Sequence, residues 1–118
     1  MIDDGKHTIL NVNDCPYELS KLCLDRVLDR FGSPDLLLVG YAGAGSYPQC
    51  WDYKDEEKLN KYGIVKKNHF LNMGLDFIKK TKPKSYMPFA GTYTLSGRLA
   101  KLERFRVVPR LEEALEFY

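Results

Sequence analysis

The sequence predicts an α/β fold over residues 1–118, and three observations predict it. A β-branched apolar segment, a segment with helical periodicity and an unbroken apolar segment follow one another in that order. Strand, helix and strand in succession read as a parallel crossover within one α/β layer. With 44% hydrophobic and 13% aromatic residues, the 118-residue chain also has enough apolar material to close a core as one domain.

The elements follow in chain order. Lys6–Val12 (KHTILNV) reads as a strand, and Asp3-Asp4-Gly5 before it is a hairpin-turn signal. That turn calls for an incoming strand, and only Met1-Ile2 precede it. Either the start is ragged or the pairing strand belongs to other sequence. Asn13-Asp14-Cys15-Pro16 breaks the strand, and Tyr17–Phe31 reads as a helix whose buried face is Leu19, Leu22, Cys23, Val27, Leu28 and Phe31. Pro16 suits the first turn, and Gly32-Ser33-Pro34 ends the helix. Asp35–Val39 (DLLLV) has no alternation, as expected of a strand covered on both faces. Gly40–Trp51 is a glycine-rich loop. Asp55–Lys80 reads as helical with an interruption near Gly63, its inward stripe being Phe70, Met73, Phe77 and Ile78. Ser85–Phe89 reads as a short strand in which Pro88 marks an end or an edge. Ala90–Gly97 is a second glycine-bounded loop, Arg98–Val108 has no decisive period, and Arg110–Tyr118 reads as a terminal helix.

Composition narrows the function classes. Eighteen basic against sixteen acidic side chains leave a net charge of +2, with no basic run carrying interleaved aromatics. Nucleic acid is therefore not an expected partner. No apolar stretch approaches the roughly eighteen residues of a membrane span, and Met1-Ile2-Asp3-Asp4 has no signal-peptide character. Three cysteines without C-x-x-C spacing suggest neither a disulfide framework nor a zinc knuckle, and a reducing cytoplasm is the expected location.

Among residues able to carry chemistry, Asp14 comes first because it stands just past a strand end, where α/β folds place ligands. Its local alternative, which the sequence favours, is a cap on the helix that begins after Pro16. The glycines at 40, 43 and 45 match neither G-x-G-x-x-G nor a Walker loop, so a close-passing turn that can line a pocket is the expectation. His7 and His69 have no histidine within ligand spacing, and surface or structural roles are expected for both. Cys23 falls on the core stripe. Cys15 and Cys50 can face a site but lack an activating neighbour. If the strands are parallel, the loops following all three lie at one edge. Asn13, Asp14, Ser46, Tyr47, Gln49, Thr92 and Tyr93 then gather there, and Asp14, Ser46 and Tyr93 are expected to line one concavity.

The segments Leu10–Cys15 (LNVNDC), Asp35–Val39 (DLLLV), Lys82-Pro83-Lys84 and Met87–Gly91 (MPFAG), taken together, resemble the second half of the metallo-β-lactamase superfamily, in its lactonase-like and nucleotide-sugar hydroxylase-like branch. The resemblance covers about Lys6 to Tyr93. It implies half of an αββα sandwich, a small mixed sheet with helices on one face. It also implies a metal role for Asp14, a small-molecule substrate held by Asn13, Ser46, Tyr47, Thr92 and Tyr93, and a divalent, zinc-like metal in a complete protein that hydrolyses an ester, lactone or phosphoester. Two departures accompany it. The H-x-H-x-D-H motif is absent, and Ala90 stands where the last histidine ligand belongs. One carboxylate does not hold zinc, which takes four ligands with nitrogen or sulfur among them. No tightly bound metal and no activity are expected of this chain alone, and the expected partner is a homodimer mate or a missing N-terminal half. The alternative reading is a non-catalytic α/β binding or assembly module.

Overall fold

Two crossovers build the sheet in the computed structural model, which describes residues Met1–Tyr118. The elements are β1 (Ile2–Asp3), β2 (Thr8–Asn11), α1 (Tyr17–Phe31), β3 (Leu36–Gly40), α2 (Glu56–Thr81), β4 (Ser85–Phe89), a 3-10 helix (Gly97–Phe105) and α3 (Leu111–Phe117). The strand order is β1-β2-β3-β4. β2, β3 and β4 run parallel, and β1 lies antiparallel to β2, so the sheet is mixed. The hairpin turn does have its incoming strand: Ile2 pairs with Ile9 and Asp3 with Thr8. Asp4 holds the turn, its Oδ1 accepting from Lys6 N at 2.9 Å and His7 N at 2.7 Å. His7 thus lies in the turn and is exposed, not in the strand.

Strand alternation divides the sheet into two faces. Leu10, Leu37 and Tyr86 share one register row, and Val39 and Pro88 share another on the same face. Leu10, Val12, Leu37 and Val39 are buried there in one cluster with Leu24 of α1 and Phe77 of α2. Both long helices therefore cover this face. The opposite face carries Ile2, Ile9, Leu36, Leu38, Met87 and Phe89, with Asn11 and Ser85 among them. Neither long helix packs there; Ile2, Met87 and Phe89 are exposed and Ile9, Leu36 and Leu38 half-buried. The expectation that Asp35–Val39 is covered on both faces is corrected: Leu36 and Leu38 are only half-buried.

Two helix readings are also corrected. In α1 the residues turned to the sheet are Leu24, Val27 and Leu28 with Tyr17, while Leu19 is 84% exposed, Leu22 78%, and Cys23 is exposed. The set at 19, 22 and 23 keeps helical spacing but lies on the outward side. Helix α2 is continuous through Gly63, because that glycine is a packing notch. A β-carbon there would collide with the Val107 side chain. Its start is capped by Asp55, whose carboxylate accepts from Glu57 N at 3.0 Å. No helix is long and apolar enough to cross a membrane.

At the opposite edge of the sheet, Asp35 joins β2, β3 and the turn into β4. Its carboxylate accepts from Thr8 N at 2.7 Å and pairs with Lys84 Nζ at 2.6 Å.

Candidate functional site at the carboxyl edge of the sheet

Because β2, β3 and β4 are parallel, the loops after them emerge at one edge. The first carries Asn13 and Asp14. Asn13 N donates to Asn11 Oδ1 at 2.9 Å, and a β-carbon at Gly40 would stand 3.1 Å from Asn13 Oδ1. The loops after β2 and β3 thus pass side by side, and glycine permits it. Asp14 is left-handed, with φ 59°. The capping expectation is overturned. Pro16 occupies the N-cap of α1 and no side chain caps that helix. The Asp14 carboxylate is exposed, and its one side-chain partner is Asn13 Nδ2 at 3.4 Å.

The loops after β3 and β4 are tied together. Gln49 is 2% exposed, and its side chain hydrogen-bonds the Tyr93 hydroxyl. In the amide orientation that satisfies both ends, Gln49 Oε1 accepts from that hydroxyl while Nε2 donates to Tyr47 O at 3.1 Å and Ser46 O at 3.2 Å. Lys66 reaches across from α2, donating to the Gly45 carbonyl and to Tyr47 O at 2.9 Å. Partial burial holds the Lys66 ammonium below its ordinary pKa and pushes the Tyr93 phenol above its own. The Lys66 ammonium lies 5.7 Å from the Tyr93 ring centre, and Arg106 Cζ lies 5.7 Å from the same ring centre. Farther along, Tyr47, Trp51, Tyr53 and Tyr62 form a chain of ring contacts at 5.3 to 6.4 Å.

The expected site residues therefore separate into groups. Ser46, Tyr47 and Tyr93 meet around Gln49. Asn13 and Asp14 stand with Gly40. Thr92 turns toward Arg106, whose Nη1 donates to its hydroxyl at 3.4 Å. None of the five principal clefts is lined by Asp14, Ser46 or Tyr93, the residues expected to share one concavity. Lys66 and Arg106 were missed by the sequence reading. Each is one cation among eighteen, and no local spacing links residue 66 to 45 or residue 106 to 92.

The donor set for a metal can be tested directly. No three His, Cys, Asp or Glu side chains converge anywhere in the chain. Cys15, next to Asp14, packs against the core cluster instead. Ala90, in the position expected of a histidine ligand, is exposed with φ 47°. The residues present do not fit a resident zinc ion. No known protein family, curated protein or solved structure matches the chain. The metallo-β-lactamase resemblance therefore rests on the short motifs alone.

Proposed function

We propose that this chain is one α/β layer of a two-layer, metal-dependent hydrolase of the metallo-β-lactamase type, to which it supplies scaffold, pocket wall and a single metal-ligating carboxylate, Asp14, rather than a whole metal centre. The observation that carries the reading is the one-sided sheet. Parallel strands are normally covered on both faces, and here both long helices pack on one face while a mostly apolar, uncharged face, with Ile2, Met87 and Phe89 exposed, lies on the other. A second layer of the same kind fits such a face. Asp14 supports the reading further, because its carboxylate is neither a cap nor an ion-pair partner and stands free at the edge where ligands bind. The loops carrying Asn13, Ser46, Tyr47, Thr92 and Tyr93 would shape the substrate wall.

The reading is tested on the coding sequence and on the protein. Sequence encoded in frame upstream of Met1 is expected to contain H-x-H-x-D-H, and in the joined polypeptide Asp14→Ala should lower metal content and hydrolysis together. An upstream stop codon, or an unrelated domain, sinks the proposal. The 118-residue chain itself should carry far less than one equivalent of zinc after dialysis. A non-catalytic assembly module is the second reading, favoured by the failure of any three donor side chains to converge. It predicts no metal in either form of the protein.

A further inference from the structure

We infer that the cleft between Tyr41, Thr92 and the segment Arg106–Leu111 binds the oxyanion of a small organic molecule, a phosphate monoester or a carboxylate. The cleft has a volume of about 400 Å³ and is lined by Tyr41, Thr92, Arg106, Val108, Arg110 and Leu111, together with Pro109. Tyr41 directly follows β3 and Thr92 closely follows β4. The cleft thus opens at the carboxyl edge of the parallel strands, where sheets of this kind take ligands. Its lining residues carry two guanidinium groups, the Tyr41 and Thr92 hydroxyls and no carboxylate. A cationic ligand is therefore disfavoured there, and an anionic one is attracted.

Arg106 is held ready. Its Nε donates to Glu103 Oε1 from outside the cleft, its Nη1 donates to the Thr92 hydroxyl, and its Cζ lies 5.7 Å from the centre of the Tyr93 ring. A guanidinium has five N–H donors. Two are engaged by protein here, which leaves an unmatched set of the planar geometry that grips carboxylate or phosphate oxygens in pairs. With only 24% of its side chain exposed, Arg106 loses little freedom on binding. Arg110 is the opposite case. Its side chain is 79% exposed, and its nearest carboxylate, on Glu113, stands 3.9 Å away. It can swing over an anion seated on Arg106. Tyr41, Val108 and Leu111 give the cleft an apolar wall, so the ligand carries an apolar or ring portion behind its charge. This inference stands without the hydrolase reading, since it invokes no metal and no second layer.

The test titrates the full chain with phenyl phosphate and, separately, benzoate at low ionic strength, following binding by calorimetry. Saturable binding is expected for at least one, and the preferred arm identifies the oxyanion. Arg110→Gln and Arg106→Lys should each weaken it by about tenfold, the loss of one charge-assisted pair. The conservative lysine at 106 keeps the charge and removes the fork. Circular dichroism of each variant establishes that the helices persist. Lys54→Gln and Lys101→Gln, in the separate cleft beside Trp51, should leave binding unchanged. Absence of saturation with both probes up to about 20 mM, an affinity too weak to matter, overturns the inference. Binding that survives both arginine changes, or that depends on Lys54 or Lys101, overturns it as well.

Discussion

At the residue scale, two left-handed non-glycine residues stand at the carboxyl edge of the sheet and the Asp35–Lys84 ion pair stands at the other. Asp14 and Ala90 both adopt left-handed φ, at 59° and 47°, which costs an L-residue about 1–2 kcal/mol. Glycine removes that cost but loses part of the gain through the unfolded chain. Ala90→Gly is therefore expected to stabilise by about 0.5 kcal/mol, measured by urea denaturation. A destabilised variant would show that the Ala90 methyl group makes a packing contribution instead. At the opposite edge, the Lys84 ammonium and then the Thr8 amide hold the Asp35 carboxyl down to about 2. In the unfolded chain it titrates near 3.9 (about the model-peptide value). Its stabilising effect is thus complete above pH ~4 and is lost as the pH falls toward ~2. Melting temperatures across this window should drop for the parent chain, and Asp35→Asn should lower the neutral-pH value and flatten the dependence. An equal slope in the variant would assign the acid sensitivity to other carboxylates.

At the element scale the two long helices show where periodicity misleads. Helix α1 has apolar residues around more than one side, so spacing alone picks out Leu19, Leu22 and Cys23 as readily as Leu24, Val27 and Leu28. Only the position of the sheet decides between them. Leu22→Gln is accordingly expected to change stability by less than about 0.5 kcal/mol, while Leu24→Ala should cost about 2–5 kcal/mol. Comparable losses in the two denaturation curves would mean that the 19/22/23 side is covered in solution. In α2 the glycines are notches, Gly63 for Val107 and Gly74 for Tyr118. Alanine would add about 1 kcal/mol of helix propensity but must displace a packed neighbour. Gly63→Ala should therefore destabilise by about 1–3 kcal/mol. Val107→Ala in the same chain should recover part of that loss, because the collision is with the Val107 side chain.

The whole molecule is extended and thinly buried. Its Cα radius of gyration is 16.4 Å and its extents are 53 × 23 × 23 Å, against a radius near 13.5 Å (about the compact-domain value for this length). Its accessible surface of 7867 Å² exceeds the roughly 6,600 Å² of a compact monomer of this mass. Part of the difference is the open sheet face. Three strands of four or five residues and the two-residue β1 present about 250 Å² in plan, well under the ~800 Å² per partner of a standard interface. The isolated chain is therefore expected to self-associate weakly through this uncharged face, as a concentration-dependent dimer in the high-micromolar range. Light scattering over a concentration series checks this, and Leu38→Lys with Met87→Lys should restore a monomer of 13.6 kDa. A clean monomer at every concentration would count against the half-sandwich reading too.

The sequence by itself determined the order of elements. Pro16, Gly32-Ser33-Pro34 and Pro83 act locally, through missing donors and permitted backbone angles, so they mark the helix limits without any tertiary partner. The β–α–β order likewise made the strands parallel and sent Asn13, Ser46 and Thr92 to one edge. What the tertiary structure alone decided was which apolar residues are covered and which polar residues meet. Leu36 and Leu38 read as core because their apolarity is intrinsic, whereas their exposure depends on whether any element lies above them. Asp14 read as a cap because its neighbours permit one, yet its left-handed backbone turns it away from α1. Lys66 and Arg106 lie 21 and 14 residues from the groups they hold, and pairing at such separations is created by packing, which no local spacing records.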